Sequence, residues 1–265
     1  MSPVFSRRFS TVLAAAIIAV APLLPASAAA APEVPTVVLV HGAFADTTSW
    51  DGVAAVLRER GHAVVVVDNP LRGPRNDAQA VKNALDAIEG PVVLVGHSYG
   101  GAVITNIDDA KVRANVYIAA FAPAAGEFVQ GLLNPLQYPG SRLLPPALQV
   151  RPVEGGLDGY IAEPYFRDIF AQDVDAETAA TMYAHQRSAA LWANLEPSGT
   201  PSWAKVPSWY LISQQDNVIP ADLQRFMAGR ASAGKTTEIA ASHASPVSQP
   251  LAVADTIAAA LAATR

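Results

Sequence analysis

The sequence predicts an α/β protein: a mostly parallel central sheet with helices on both faces, carrying a helical cap insertion. Three observations support this. Continuous apolar, largely β-branched runs alternate with amphipathic helical stretches, as in a sheet buried on both faces. The run Val92-Val93-Leu94-Val95-Gly96-His97-Ser98-Tyr99-Gly100-Gly101 leads from a buried strand, through a serine flanked by glycines, into small residues that open a helix. Between about residues 123 and 206 the alternation breaks off, and proline and glycine crowd residues 134–159.

Taken in order, Thr36-Val37-Val38-Leu39-Val40 is the first strand and ends in His41-Gly42-Ala43-Phe44. A helix from residue 49 or 50 to residue 60 puts Val53, Val56 and Leu57 on one face and stops at Gly61. Residues 62–67 form the next strand. Asn76 or Asp77 is expected to cap a helix carrying Ala80, Val81, Ala84, Leu85 and Ile88, which Gly90-Pro91 ends. The glycine-flanked turn then starts a helix running to about residue 110, and residues 112–121 return as a strand. In the interruption, helices are expected over 164–171 and 176–195. An insertion of this kind is most often a cap over a site. Alternation then resumes with a strand at 209–213, a helix at 220–231, a strand at 236–240 and a final helix over 246–262.

Composition narrows the class. Hydrophobic residues are 51% and charged residues 15% of 265, so the chain can build a core, and its net charge of −5 without a Lys/Arg cluster in its body excludes a nucleic-acid binder. The absence of cysteine removes disulfides, thiolate nucleophiles and zinc–cysteine sites together. Arg7-Arg8, the apolar stretch 12–24, Pro25 and the small residues from Ala26 to Ala31 have the order of a secretory signal peptide over residues 1–31, too short to anchor in a bilayer. Residues 32–265 are then the mature domain, and the expected location is secreted or periplasmic. Arg7-Arg8 leaves twin-arginine export open beside the general secretory route.

The chemistry converges on one serine. Gly96, Ser98 and Gly100 spell G-x-S-x-G, whose glycines allow the serine to be thrust out of a strained strand-to-helix turn. A serine hydroxyl at neutral pH needs a base, and the base needs an orienting carboxylate. Asp216, three residues past a strand, and His243, just past the last strand, stand where loops at the strand ends put such partners. His41 and His97 flank turns, His62 begins a strand and His185 falls in the insertion; the competing acid is Glu127. Two backbone N–H groups should form the oxyanion hole, from Tyr99 and from Ala43, with Phe44 the second choice in that loop.

Together, His41-Gly42-Ala43 with Trp50, the Gly96–Gly101 turn, Asp216-Asn217-Val218-Ile219-Pro220 and His243 resemble the α/β-hydrolase superfamily over about residues 35–265. The spacing from His41-Gly42 to Trp50 is similar to the esterase branch that also holds plant methylesterases and hydroxynitrile lyases. The resemblance implies an α/β-hydrolase fold, with Ser98 as nucleophile, Asp216 as orienting acid, His243 as general base and Ala43 and Tyr99 as oxyanion donors. Lyases of that branch carry lysine after the catalytic histidine, where this chain has Ala244, and haloalkane dehalogenases carry aspartate in place of Ser98.

The expected activity is hydrolysis of a small or medium carboxylic ester, without metal or organic cofactor. Lactonase, amidase and perhydrolase chemistry on the same residues are the alternatives, with a non-catalytic ligand binder as a different class. Phe128, Leu132, Leu133, Tyr138, Tyr160, Tyr165, Phe166, Met182 and Trp192 are candidates to line the substrate cavity.

Overall fold

In the computed structural model, which describes residues 34–264, the apolar runs form a single parallel sheet. The expected signal peptide lies outside the described residues. The six strands of this sheet are β1 (Thr36–Val40), β2 (Val64–Val67), β3 (Val92–His97), β4 (Val112–Ile118), β8 (Ser208–Ser213) and β9 (Thr236–Ile239). They lie side by side in the order β2-β1-β3-β4-β8-β9, and every pairing is parallel. Successive side chains on a strand point to opposite faces, which is why β1 and β3 are apolar without interruption. Val38, Val40, Val92 and Leu94 enter one core, and Val37, Leu39, Val93 and Val95 enter the other.

Each face is covered by helices whose apolar stripes match it. Helices α1 (Asp51–Glu59) and α9 (Pro250–Ala262) supply Val53, Leu57, Val253 and Ile257 to the second core. Helices α2 (Pro74–Asp86), α3 (Tyr99–Thr105) and α7 (Ala221–Ala231) supply Val81, Leu85, Val103, Leu223 and Met227 to the first. The insertion joins the first core through Ile161, Phe166, Ile169 and Phe170. All six strands run the same way, so the loops after β1, β3, β8 and β9 gather at one edge of the sheet, where parallel sheets hold their ligands.

The insertion is not wholly helical. It holds α4 (Val129–Leu132), α5 (Glu163–Phe170), α6 (Ala176–Ala184) and a three-stranded antiparallel sheet of β5 (Leu148–Val153), β6 (Gly156–Ile161) and β7 (Ala189–Ala190). The expected helix over 176–195 therefore stops at Ala184, and a 3-10 turn, Leu191–Leu195, follows β7. Pro152 sits in the outer strand β5, where a residue without an N–H is tolerated.

Other boundaries moved for local reasons. Helix α2 begins at Pro74 after Gly73 (φ 140°), so neither Asn76 nor Asp77 caps it, and Asp77 lies buried in the first turn. Helix α3 ends at Thr105, where the Thr105 hydroxyl and the Asn106 amide donate back to the Gly101 and Ala102 carbonyls. Strand β4 ends at Ile118 because Ala119 turns to φ 41°. A short 3-10 turn, Thr47–Trp50, precedes α1. Pro250, unable to donate, separates α8 (Ser245–Ser248) from α9, so the last helix is two pieces.

Candidate active site

Ser98 sits between β3 and α3 with φ 54° and ψ −123°, a conformation a non-glycine residue adopts only where the surroundings enforce it. Here the enforcement is backbone bonding: Ser98 N–H donates to Ile118 O at 3.2 Å, and Ser98 O accepts from Gly101 N and Phe121 N, each at 3.0 Å. Close approach requires the glycines. A Cβ on Gly100 would lie 2.4 Å from Val40 O, and one on Gly42 would lie 2.7 Å from the Ser98 Cβ. The loop after β1 can therefore press against the turn only without side chains at those two points.

The loops after β8 and β9 bring the expected partners to this serine. His243 Nε2 is 2.9 Å from Ser98 Oγ, and His243 Nδ1 is 2.7 Å from Asp216 Oδ2. All three are buried. Nδ1–H donating to the carboxylate leaves Nε2 as the acceptor for the serine hydroxyl. Asp216 is held in turn. Its Oδ1 accepts from Val218 N at 2.7 Å and Ile219 N at 2.8 Å, and its Oδ2 accepts from the Gln224 side-chain amide at 2.9 Å.

Two further histidines support the site from below. His97 donates from Nε2 to the backbone carbonyl of His243 at 2.8 Å, and complete burial holds its pKa well below the usual value of 6.5. The His41 ring donates from Nδ1 to Gly42 O and accepts at Nε2 from Asn69 N, each at 2.9 Å. Burial lowers its pKa as well. Phe170 covers the His243 ring edge-on at 4.8 Å.

Ala43, Phe44 and Tyr99 line the same cavity as Ser98 and His243. Tyr99 N–H lies in the first turn of α3, where helix geometry leaves donors without an intrahelical partner. The Tyr99 hydroxyl donates to Asp77 Oδ2 at 2.8 Å, and Asp77 also accepts from Arg72 N. Burial pushes the Asp77 carboxyl up despite these bonds. The other candidates are engaged elsewhere. Glu127 accepts from Arg230 and from Ala124 N; those bonds overcome its partial burial and hold it below the usual carboxylate range, away from His243. His185 pairs with Asp46 at 3.0 Å.

The cavity above Ser98 is about 410 Å³, and its walls are largely apolar: Phe121, Val129, Leu133, Leu143, Leu144, Leu148, Leu191, Leu195 and Val218, with Gln130, Ser141 and Asn194 among the polar members. Of the nine cap residues expected to line it, Leu133 does so. Phe166 and Met182 line a different cavity, Phe128, Leu132 and Tyr138 face a groove beside Phe226, and Tyr160, Tyr165 and Trp192 line none of these. Among the described residues, no cluster of three or more His, Cys, Asp or Glu could hold a metal ion, and no helix is long and apolar enough to cross a membrane.

Comparison with known proteins bears on the family and the fold. The carbendazim hydrolyzing esterase of Nocardioides sp. strain SG-4G is 34% identical over 133 residues, 44% of this chain, and the match spans about half (52%) of that relative's length. Methylesterase 2 of Arabidopsis thaliana is 25% identical over 72% of this chain and 81% of its own length. The crystal structure of a pyrethroid hydrolase from Sphingobium faniae JZ-2 superposes with a TM-score of 0.74 at 25% identity, covering 87% of this chain and 98% of that one. With residues 37–256 matching the family as a whole, the chain belongs to the alpha/beta hydrolase family.

Proposed function

We propose that the protein is a serine esterase that cleaves uncharged carboxylic esters through an acyl-enzyme. The observation that carries this reading is the unbroken hydrogen-bonded array Asp216–His243–Ser98, opening on an apolar cavity. Ser98 Oγ attacks the ester carbonyl carbon while His243 Nε2 takes its proton. The oxyanion so formed accepts from Tyr99 N–H and from Ala43 N–H, with Phe44 N–H the alternative donor in that loop. On collapse, the imidazolium returns its proton to the leaving alkoxide, and the alcohol departs. Water then attacks the acyl carbon, giving its proton to His243. Ser98 leaves with that proton restored, and the carboxylic acid is released. Asp216 keeps the imidazole in the tautomer that each step needs.

The substrate class follows from the walls. A cavity lined by leucine, valine and phenylalanine desolvates an uncharged acyl or alkyl group and penalises a charged one. The similarity to a carbendazim hydrolyzing esterase and to a pyrethroid hydrolase supports a small-molecule ester as substrate. Export directed by residues 1–31 is part of the proposal, and N-terminal sequencing of protein recovered outside the cytoplasm tests it.

Ser98→Ala should lower kcat for short p-nitrophenyl esters by on the order of 10⁴ or more and abolish covalent labelling by a fluorophosphonate. Wild-type turnover surviving in that variant would sink the proposal. A parallel panel of lactones, amides and peroxide-dependent halogenation separates the ester reaction from related acyl chemistry at the same serine.

A further inference from the structure

A second cavity of about 190 Å³ lies on the far side of Phe44. Phe44, Phe166, Phe170, Met182 and Val247 supply its apolar surface, and neither Ser98 nor His243 lines it. Among the described residues, Phe44 is the one that lines both this cavity and the one above Ser98. Its backbone is held at φ 61° and it is 6% exposed, so the residue is packed between the two cavities. Phe170 faces the second cavity and also lies edge-on against the His243 ring. The Phe170 ring therefore stands between the second cavity and the imidazole.

That position carries a chemical consequence. The leaving alkoxide must take its proton from His243 Nε2, so the alcohol portion of an ester departs beside the imidazole. We propose that the second cavity is a subsite for the alcohol portion of the substrate, and that Phe44 is the specificity-determining wall that limits the group entering it. This rests on the esterase reading above. Its size suits a ring or a branched alkyl group, since an apolar cavity of ~150 Å³ holds benzene. Asp46 and Asp51 among its lining residues repel anionic groups, and its aromatic side chains desolvate a neutral one.

Two matched ester series test this, one enlarging the alcohol from methyl to benzyl and the other enlarging the acyl group by the same steps. Phe44→Ala should raise the benzyl-to-methyl ratio of kcat/KM by about tenfold or more, within the range that a single misfitting methylene commands. Reading the ratio cancels any change at the oxyanion hole. Met182→Trp, which fills the second cavity, should lower that ratio in the wild-type background and cancel the gain in Phe44→Ala. Thr178→Phe serves as a second filler, and fluorophosphonate titration counts the folded sites in each variant. The acyl series should respond less to Phe44→Ala, and not at all to the fillers, which line only the second cavity. Unchanged alcohol ratios, a gain that survives filling, or an equal response to acyl size would each overturn the subsite. A wild type inert toward both series and unlabelled at Ser98 would instead overturn the esterase reading itself.

Discussion

Gln224 bears on the reaction without touching the serine. It is fully buried on α7, where its amide nitrogen donates to Asp216 Oδ2 and, at 2.8 Å, to Ile219 O, while its oxygen accepts from Ser213 N at 3.1 Å. It thus fixes the carboxylate that fixes His243. Gln224→Leu leaves Ser213 N–H and one carboxylate lone pair unpaired, which should cost about 1–3 kcal/mol of stability. It should also lower kcat by about 10- to 100-fold, the scale on which a misplacement of ~1 Å acts. KM should move little, because the cavity walls are untouched. Urea unfolding and steady-state kinetics on one short ester check both effects; lost stability with unchanged kcat would make Gln224 purely structural. The meeting of Ser98, Asp216 and His243 was legible in the sequence because each stands just past a strand end, which a parallel sheet brings to one edge. Gln224 was not, since a polar residue on a helix looks the same whether it faces solvent or a carboxylate. The rejection of Glu127 likewise required Arg230, which is 103 positions away and invisible to spacing.

At the scale of elements, the strands were legible wherever burial on both faces forced an unbroken apolar run, as in β1 and β3. The β5–β6 hairpin was not. Its residues are mostly exposed, and its proline and glycines read as a loop until pairing over Leu148↔Ile161 to Val153↔Gly156 supplies the order. One polar tie between this small sheet and the main domain is a bidentate pair: Arg72, in the loop after β2, donates to both oxygens of buried Asp158 on β6, at 2.8 and 2.7 Å. The same arginine's backbone N–H binds Asp77, which in turn accepts from the Tyr99 hydroxyl, so one loop joins the cap to the residue after Ser98. Arg72→Ala strands the Asp158 carboxylate with the Ser188 hydroxyl as its remaining side-chain donor. The expected cost is about 1–3 kcal/mol, concentrated in the cap. Limited proteolysis should then cut within residues 134–195 before the parallel sheet opens, with kcat/KM falling in step. A cleavage pattern identical to wild type would show that the cap is held by its apolar contacts alone.

For the whole molecule, placing neutral histidines inside the sheet edge makes stability depend on pH. His41 and His97 are buried, and burial lowers the pKa of each in the folded state. Unfolded, both titrate near 6.5. Above that pH both states are neutral and the contribution is complete. Below it the unfolded chain binds protons that the folded chain refuses, so stability falls as pH drops. His97, held well below 6.5, contributes a slope approaching about 1.4 kcal/mol per pH unit, and His41 adds to it in the same direction. The effect should emerge between pH 6.5 and 5, above the range in which the ion-paired carboxylates Glu127 and Asp158 begin to protonate. Urea midpoints measured from pH 7.5 to 5 should therefore shift down while the slope of the transition stays constant. His97→Asn keeps a donor for the His243 carbonyl but removes one titrating group, so its stability should decline with pH by about one proton's worth less. Parallel pH curves for wild type and His97→Asn would mean that the buried imidazole takes up its proton in the folded state, and that water reaches the underside of His243.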